Sequence, residues 1–109
     1  MKKHVTFTLQ EEAKNLIKFK QLLELVVDNK IYKSSIIEEC LWKGFVFIDK
    51  EIAELGEKFY ENMPKKLHNT DKYTFYLSRD VLEQLNFYSK QLGLKKSHIV
   101  QFCILKELR

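Results

Sequence analysis

Apolar and polar residues alternate strictly over residues 4–9, HVTFTL, close to the start of the chain. The apolar positions are Val5, Phe7 and Leu9, and the polar positions are His4, Thr6 and Thr8. A period of two places successive side chains on opposite faces of a β-strand. The pattern therefore predicts a strand with one face on a core and the other face in solvent.

The same alternation returns over residues 72–77, KYTFYL. Here the core-facing positions are Tyr73, Phe75 and Leu77, and the outward positions are Lys72, Thr74 and Tyr76. The segments TFTL and TFYL agree at three of four positions when Leu9 is aligned with Leu77, 68 residues later. A second strand of the same kind is predicted, which indicates an internal repeat.

Each strand is followed by a pattern with helical spacing. In the second copy Ser78 is a candidate N-cap, and Gly93 comes directly after the last periodic residue. The apolar stripe between them consists of Val81, Leu85, Tyr88 and Leu92. The corresponding, longer stripe of the first copy consists of Ala13, Leu16, Ile17, Leu23, Val26 and Val27. One helix is therefore predicted after each strand.

A second helix is predicted in each copy, because KSSIIEECLWK from Lys33 overlays KSHIVQFCILK from Lys96, 63 residues later. The core-facing positions are Ile36, Ile37, Cys40 and Leu41 in one copy and Ile99, Val100, Cys103 and Ile104 in the other. The change of spacing from 68 to 63 residues gives the first copy five extra residues, around ELVVDNKIY. Each copy therefore has the order strand, helix, turn, helix.

The region between the copies contains a candidate extra helix. Asp49 is its possible N-cap, Pro64 ends it, and residues 65–71 form a polar linker. The apolar positions of this helix are Ile52, Leu55, Phe59 and Met63. We accordingly divide the chain into a first unit at 1–46, a linker with an extra helix at 47–71, and a second unit at 72–109.

A lone strand leaves its backbone N–H and C=O groups unpaired and is not stable by itself. The two strands are therefore expected to pair as an antiparallel ribbon, with four helices beneath it and one core shared by both units. The predicted fold is mainly α with a two-stranded antiparallel β-ribbon, arranged as an intramolecular pseudo-dimer. Pairing within one chain and exchange between two chains both remain open.

Composition agrees with a small soluble domain, since 45% of the 109 residues are hydrophobic and 31% are charged. The few turn-forming residues, three Gly and one Pro, favour a mainly helical chain. No apolar run approaches the length of a membrane helix, and Met1-Lys2-Lys3 is followed by a polar segment rather than a signal sequence, so we expect a cytoplasmic protein without membrane contact.

The formal net charge is +4, and much of the basic excess lies near the strands and second helices. Cys40 and Cys103 lack CxxC spacing and occupy apolar positions, so we interpret them as small core residues. The histidines at positions 4, 68 and 98 are scattered. No metal, cofactor or catalytic set of nucleophile, base and orienting group is predicted.

MKKHVTFTL followed by an amphipathic helix, together with GLKKSHIV at the start of a second helix, resembles the ribbon-helix-helix DNA-binding proteins of the Arc, MetJ and CopG type. The resemblance covers residues 2 to about 45 and 72 to 109. Members of that family usually form homodimers of one such unit. This chain therefore resembles a fused dimer, similar to tandem regulators of some archaeal viruses.

The resemblance implies that outward strand residues read bases in the major groove and that the start of each second helix meets DNA phosphates. The implied base-reading residues are His4, Thr6, Thr8, Lys72, Thr74 and Tyr76. The implied phosphate-binding residues are Lys2, Lys3, Lys33, Ser34, Lys95, Lys96 and Ser97. The chain departs from the family pattern where Tyr32 and Lys95 replace a good helix cap, so capping is expected to be weaker or supplied elsewhere. Lys30 takes the place of Gly93 in the first copy, which together with the five extra residues leaves the geometry of that turn open.

The resulting hypothesis is a transcription regulator, more specifically a repressor, that binds double-stranded operator DNA, with further copies of itself on the DNA as a possible additional partner. Because the two strands differ, an imperfect palindrome or an asymmetric site is expected. An antitoxin-like protein-interaction module with secondary DNA binding is the first alternative. A small helical structural or inhibitor protein is the second.

Overall fold

The computed structural model describes residues 2–26, 32–56 and 70–109. In these residues the chain is mainly helical, with one two-stranded antiparallel sheet and four helices. The elements in chain order are β1 (Lys2–Gln10), α1 (Glu11–Val26), α2 (Lys33–Leu55), β2 (Thr70–Ser78), α3 (Arg79–Leu92) and α4 (Lys96–Leu108). The predicted order of strand, helix and helix is thus present twice.

The two strands form the ribbon that the repeat predicts. β1 pairs antiparallel with β2 within the chain, and Thr6 lies opposite Thr74 at the centre. We call the end where Lys2 lies opposite Ser78 the Lys2 end, and the end where Gln10 lies opposite Thr70 the Gln10 end. The expectation of an antiparallel pair is confirmed.

The alternation of the sequence separates the two faces of the ribbon. Phe7, Leu9, Phe75 and Leu77 are buried on the inner face, where Val5 and Tyr73 also pack against the core. The outward residues are exposed, apart from Thr8, which is half-buried. Burial of two large apolar side chains per strand anchors the ribbon to the helices, with a stabilisation of roughly 1.5–3 kcal/mol for each such side chain.

The second helices, α2 and α4, form the middle of the core. All eight residues predicted to face the core on these helices are buried. The helices approach closely at Gly44, where an added Cβ would lie 2.3 Å from the Cys103 Sγ atom. Gly44 therefore allows α2 and α4 to cross at a short distance, and any larger residue would push the two helices apart.

The ends of α3 follow the sequence signals. The Ser78 side chain accepts a hydrogen bond from the Val81 amide at 3.4 Å, and Gly93 adopts the left-handed conformation with φ 65° and ψ 28°. The Leu94 amide then donates to the Ser89 carbonyl at 3.2 Å. Both the predicted N-cap and the predicted glycine stop are confirmed.

The helix expected to begin at Asp49 is not a separate element. α2 runs without a break from Lys33 to Leu55, so the unit boundary placed after residue 46 falls inside it. Ile48 is buried and Ile52 packs against the core, which extends the apolar stripe past the expected boundary. The remaining expected positions of that helix, Phe59, Met63 and Pro64, and most of the linker lie outside the described residues.

The apolar stripe predicted for α1 holds only over its first half. Ala13 and Ile17 are buried and Leu16 is half-buried, but Leu23 and Val26 are exposed. Helical spacing predicts which residues share a face, but it does not show whether another element covers that face. Val27, the last residue of the predicted stripe, lies outside the described residues.

Candidate nucleic-acid interface

The outer face of the ribbon brings the six predicted base-reading side chains together in three cross-strand pairs. The pairs are His4 with Tyr76, Thr6 with Thr74, and Thr8 with Lys72. Directly opposed residues in an antiparallel sheet have Cβ atoms about 4.5–5.5 Å apart, so each pair acts as one layer. The three layers follow one another from the Lys2 end to the Gln10 end.

The central layer is a pair of hydroxyl groups. The Oγ1 atoms of Thr6 and Thr74 are 2.8 Å apart, so one hydroxyl donates to the other. A hydroxyl has one proton and two lone pairs, and the bonded pair therefore keeps one O–H donor and several acceptor sites for an external group. The two threonines present one shared hydrogen-bonding unit rather than two independent ones.

The two outer layers differ in chemistry. Toward the Lys2 end the rings of His4 and Tyr76 lie against each other, with centroids 4.7 Å apart and an interplanar angle of 32°. The Lys2 ammonium lies 6.0 Å from the centre of the Tyr76 ring. Toward the Gln10 end the layer holds the Thr8 hydroxyl and the Lys72 ammonium. One layer is aromatic and the other is aliphatic and cationic.

Two serines attach the second helices to the outer edges of the ribbon. The Tyr76 amide donates to the Ser34 Oγ atom at 2.9 Å, and the Thr8 amide donates to the Ser97 Oγ atom at 3.0 Å. Each bond crosses between the halves, since Ser34 follows β1 but binds β2, and Ser97 follows β2 but binds β1. The bonds satisfy edge amides that the ribbon itself leaves unpaired.

The same serines were predicted to bind phosphate, and their hydrogen bonds are compatible with that role. Each hydroxyl oxygen accepts from a strand amide, and within the described residues neither hydroxyl donates its own proton. That proton can be offered to an external oxygen. The sequence motif identified Ser34 and Ser97, but it did not reveal their bonds to the strands.

The first turns of α2 and α4 carry no side-chain cap. Tyr32 and Lys95 precede the helices in extended conformations, and neither makes a capping hydrogen bond. The expectation that Tyr32 and Lys95 do not cap these helices is confirmed. Uncapped first-turn amides and the helix dipole favour an anion, and Lys33 and Lys96 are exposed at the same places.

One polar residue that holds the ribbon was missed by the sequence interpretation. Gln101 is fully buried on α4, where its Oε1 atom accepts from the Gln10 amide at 3.0 Å. Its Nε2 atom donates to the Gln10 Oε1 atom at 3.2 Å. The available signal was in IVQFCI, where this polar residue lies between two pairs of residues predicted to face the core. Gln101 fixes the end of β1 against α4.

Burial is the main cause of the pKa shifts of one histidine and two cysteines. Burial and the nearby Lys95 lower the pKa of His98, which favours a neutral imidazole in the first turn of α4 at neutral pH. Burial raises the pKa of Cys40 to about 12 and that of Cys103 further, so both thiols stay protonated and unreactive. In the described ranges no cluster of His, Cys, Asp or Glu has the arrangement of a metal site.

Comparison of the chain with protein-family models, curated proteins and solved structures found no match. Of the helices that the structure describes, none is long and apolar enough to cross a membrane.

Proposed function

We propose that this protein is a sequence-specific double-stranded DNA-binding transcription regulator of the ribbon-helix-helix type, acting as a repressor from the cytoplasm, or from the host cytoplasm if the protein is viral. One observation carries the proposal. The exposed polar face of the ribbon is flanked by two uncapped, lysine-bearing helix starts, and a serine bonds each of them to the ribbon.

A pseudo-dimeric arrangement is part of the proposal, and the strand register supports it. Thr6 lies opposite Thr74, its counterpart in the repeat, so the pairing is centred on equivalent residues. The two serine bonds are also equivalent, because Ser34 and Ser97 correspond in the repeat and so do Tyr76 and Thr8. The two units would be related by an approximate two-fold axis through the central threonine pair.

The dimensions of the ribbon suit the major groove of B-DNA. Paired strands lie about 4.8 Å apart, and the groove is about 12 Å wide and admits a two-stranded ribbon. With the ribbon in the groove, its exposed layers would face base edges. The starts of α2 and α4, at opposite outer edges of the ribbon, would then face the two phosphate backbones.

The unlike outer layers predict unlike half-sites. Lys72 has only donors, which suit the O6 and N7 acceptors of guanine. The His4 and Tyr76 rings offer apolar surface, which suits the methyl group of thymine. We therefore propose an asymmetric operator, with a preference for guanine near the Lys72 layer and for thymine near the aromatic layer.

The direct test is selection of bound sequences from a randomised duplex library, followed by affinity measurements at several salt concentrations. Lys96→Ala should weaken binding to all duplexes and lower the salt slope by about 0.9, the value expected when one phosphate is no longer neutralised. Thr74→Ala should reduce the preference for the selected site more than it reduces non-specific binding. Lys50→Ala is the matched control, because position 50 lies about 25 Å along α2 from the helix start.

Two results would contradict the proposal. Failure of the wild-type chain to bind any duplex at low salt would remove DNA binding altogether. An equal loss for Thr74→Ala on selected and unrelated duplexes would instead remove the ribbon face from base reading, while DNA binding itself would stand.

One observation favours the alternative of an antitoxin-like interaction module. Phe19, Leu22, Leu23 and Val26 form an exposed apolar stripe along the second half of α1. An exposed stripe of this size is a common feature of protein-interaction surfaces. If this alternative is correct, a partner captured from the native host should be lost in the variant Phe19→Ser/Leu22→Ser, while DNA binding is retained.

A further inference from the structure

The two ends of the ribbon carry opposite charge, although they are equivalent in the repeat. Residues 2–4 and 76–80 at the Lys2 end contain three basic and one acidic side chain. The equivalent residues 70–72 and 8–12 at the Gln10 end contain one basic and three acidic side chains. Arg109 contacts one of these acids, Glu12, at 2.7 Å, which reduces the negative excess without reversing it.

The basic residues of the Lys2 end line an open groove of about 480 Å³. Lys2 and Lys3 contribute from β1, Arg79 from the first turn of α3, and Lys96 from the first turn of α4. Glu83 is the carboxylate in the lining. The groove therefore joins the start of α4, which is proposed to bind phosphate, to the Lys2 end of the ribbon.

The equivalent place at the other end is built differently. The counterparts of Lys2, Lys3 and Arg79 are Thr70, Asp71 and Glu11, so three cations are replaced by one neutral and two acidic residues. The cavity on that side has a volume of only about 40 Å³, and the cations that line it, Lys14, Lys18 and Lys33, belong to α1 and α2 rather than to the end of the ribbon. At these three matched positions, cations are thus confined to the Lys2 end.

Arg79 is paired, but only weakly. Its Nε atom lies 2.9 Å from the Glu83 Oε1 atom, and both side chains are largely exposed. An exposed pair of this kind contributes roughly 0–1 kcal/mol, so a phosphate can compete for the guanidinium at little cost. A phosphate is also a suitable partner, because the planar guanidinium fork can bind two of its oxygens.

We propose, resting on the proposed DNA-binding function, that the DNA backbone flanking the operator on the Lys2 side lies along this groove. The negative Gln10 end repels flanking phosphates, whereas Lys2, Lys3 and Arg79 attract them. The footprint is therefore one-sided, and the protein binds an asymmetric site in one orientation. The single-chain form permits this arrangement, since two identical chains would place the same charges at both ends.

The test uses the wild-type chain and three duplexes that carry the selected site, one with long flanks on both sides and two shortened on one side or the other. Shortening one of the two flanks, the sensitive flank, should weaken binding about tenfold near physiological salt. A loss of this size is expected when about two phosphates are removed from the basic groove. Shortening the opposite flank should change the affinity less than twofold.

The variant Lys3→Ala/Arg79→Ala identifies which end meets that flank. It should bind the long duplex about tenfold more weakly and show no further loss of affinity when the sensitive flank is shortened. The variant and the shortened duplex together form a double-mutant cycle, which tests whether these residues contact that flank. Glu83→Gln should strengthen binding only to the two duplexes that keep the sensitive flank. Lys50→Ala should retain the wild-type flank dependence, and unchanged melting temperatures should establish that all variants are folded.

Equal dependence on both flanks, or flank dependence that persists in Lys3→Ala/Arg79→Ala, would overturn the one-sided footprint while leaving DNA binding established. A wild-type chain that binds no duplex in a salt-dependent way would overturn both proposals.

Discussion

The first half, residues 2–26 and 32–55, and the second half, residues 70–109, bury the same inner strand positions and the same face of their second helices, but they carry different residues at the outer strand positions. Leu9 and Leu77 are both fully buried, and so are the matching faces of α2 and α4. The outward strand residues differ, with His4 opposite Tyr76 and Thr8 opposite Lys72. Packing against a shared core therefore constrains the inner positions of both halves, whereas no such packing constrains the outer positions.

The halves also differ at matched positions on α2 and α4, where the two helices pack in the core. α2 has Gly44 at its close approach to Cys103, and the counterpart of Gly44 in the repeat is Glu107 on the half-exposed side of α4. α4 has the buried Gln101, and its counterpart Glu38 is only half-buried. A repeated sequence thus does not produce two identical environments, and substitutions at matched positions can measure the difference.

The largest effect is expected from shortening the inner leucines of the ribbon. Leu9→Ala and Leu77→Ala should each lower the free energy of unfolding by about 2–5 kcal/mol, because each leaves a cavity beneath a strand. Urea denaturation measures both losses. Similar losses would support equal burial of the two halves, whereas a loss below about 1 kcal/mol at one position would show that this half packs differently.

Gly44→Ala should have the next largest effect. The added methyl group would overlap the Cys103 side chain, and we expect a loss of about 1–3 kcal/mol despite the better helix propensity of alanine. The double variant Gly44→Ala/Cys103→Ala should lose less than the sum of the two single variants. Additive losses in urea denaturation would show that the two residues are not in contact.

The crossed serine bonds should contribute less. Ser97→Ala should lower the free energy of unfolding by about 1 kcal/mol, and Ser34→Ala by less, because its bond to Tyr76 is more exposed to water. Ser35→Ala is the control, since this exposed residue lies in the same turn as Ser34. Thermal denaturation that ranks Ser35→Ala above Ser97→Ala in destabilisation would contradict the assigned role.

The last effect is expected only at alkaline pH. Burial raises the pKa of Cys40 from 9.0 to about 12, so the folded chain keeps a proton that the unfolded chain releases above about pH 9. The associated stabilisation is complete below pH 9 and is lost as the pH rises toward 12. The melting temperature of Cys40→Ala should therefore fall less steeply between about pH 8 and 11 than that of the wild type. Parallel curves would contradict this assignment.

Much of the fold could be predicted because its signals are local. The period of two in HVTFTL and KYTFYL predicted both faces of the ribbon, and Ser78 and Gly93 predicted the ends of α3. Asp49 misled the interpretation, since a good capping residue can also lie inside a helix, where it accepts a hydrogen bond from the Tyr88 hydroxyl at 2.7 Å. Local preference was overridden by the continued burial of Ile48.

The sequence by itself determined both strands, the two helices after each strand, the repeat and the six outward side chains of the ribbon, because periodicity and spacing are properties of neighbouring residues. Only the tertiary structure decided which side chains act together. The shared Thr6 and Thr74 hydroxyls, the crossed Ser34 and Ser97 bonds and the basic groove at the Lys2 end each join residues that are far apart in the chain. Such contacts depend on strand register and helix packing, which no local pattern encodes.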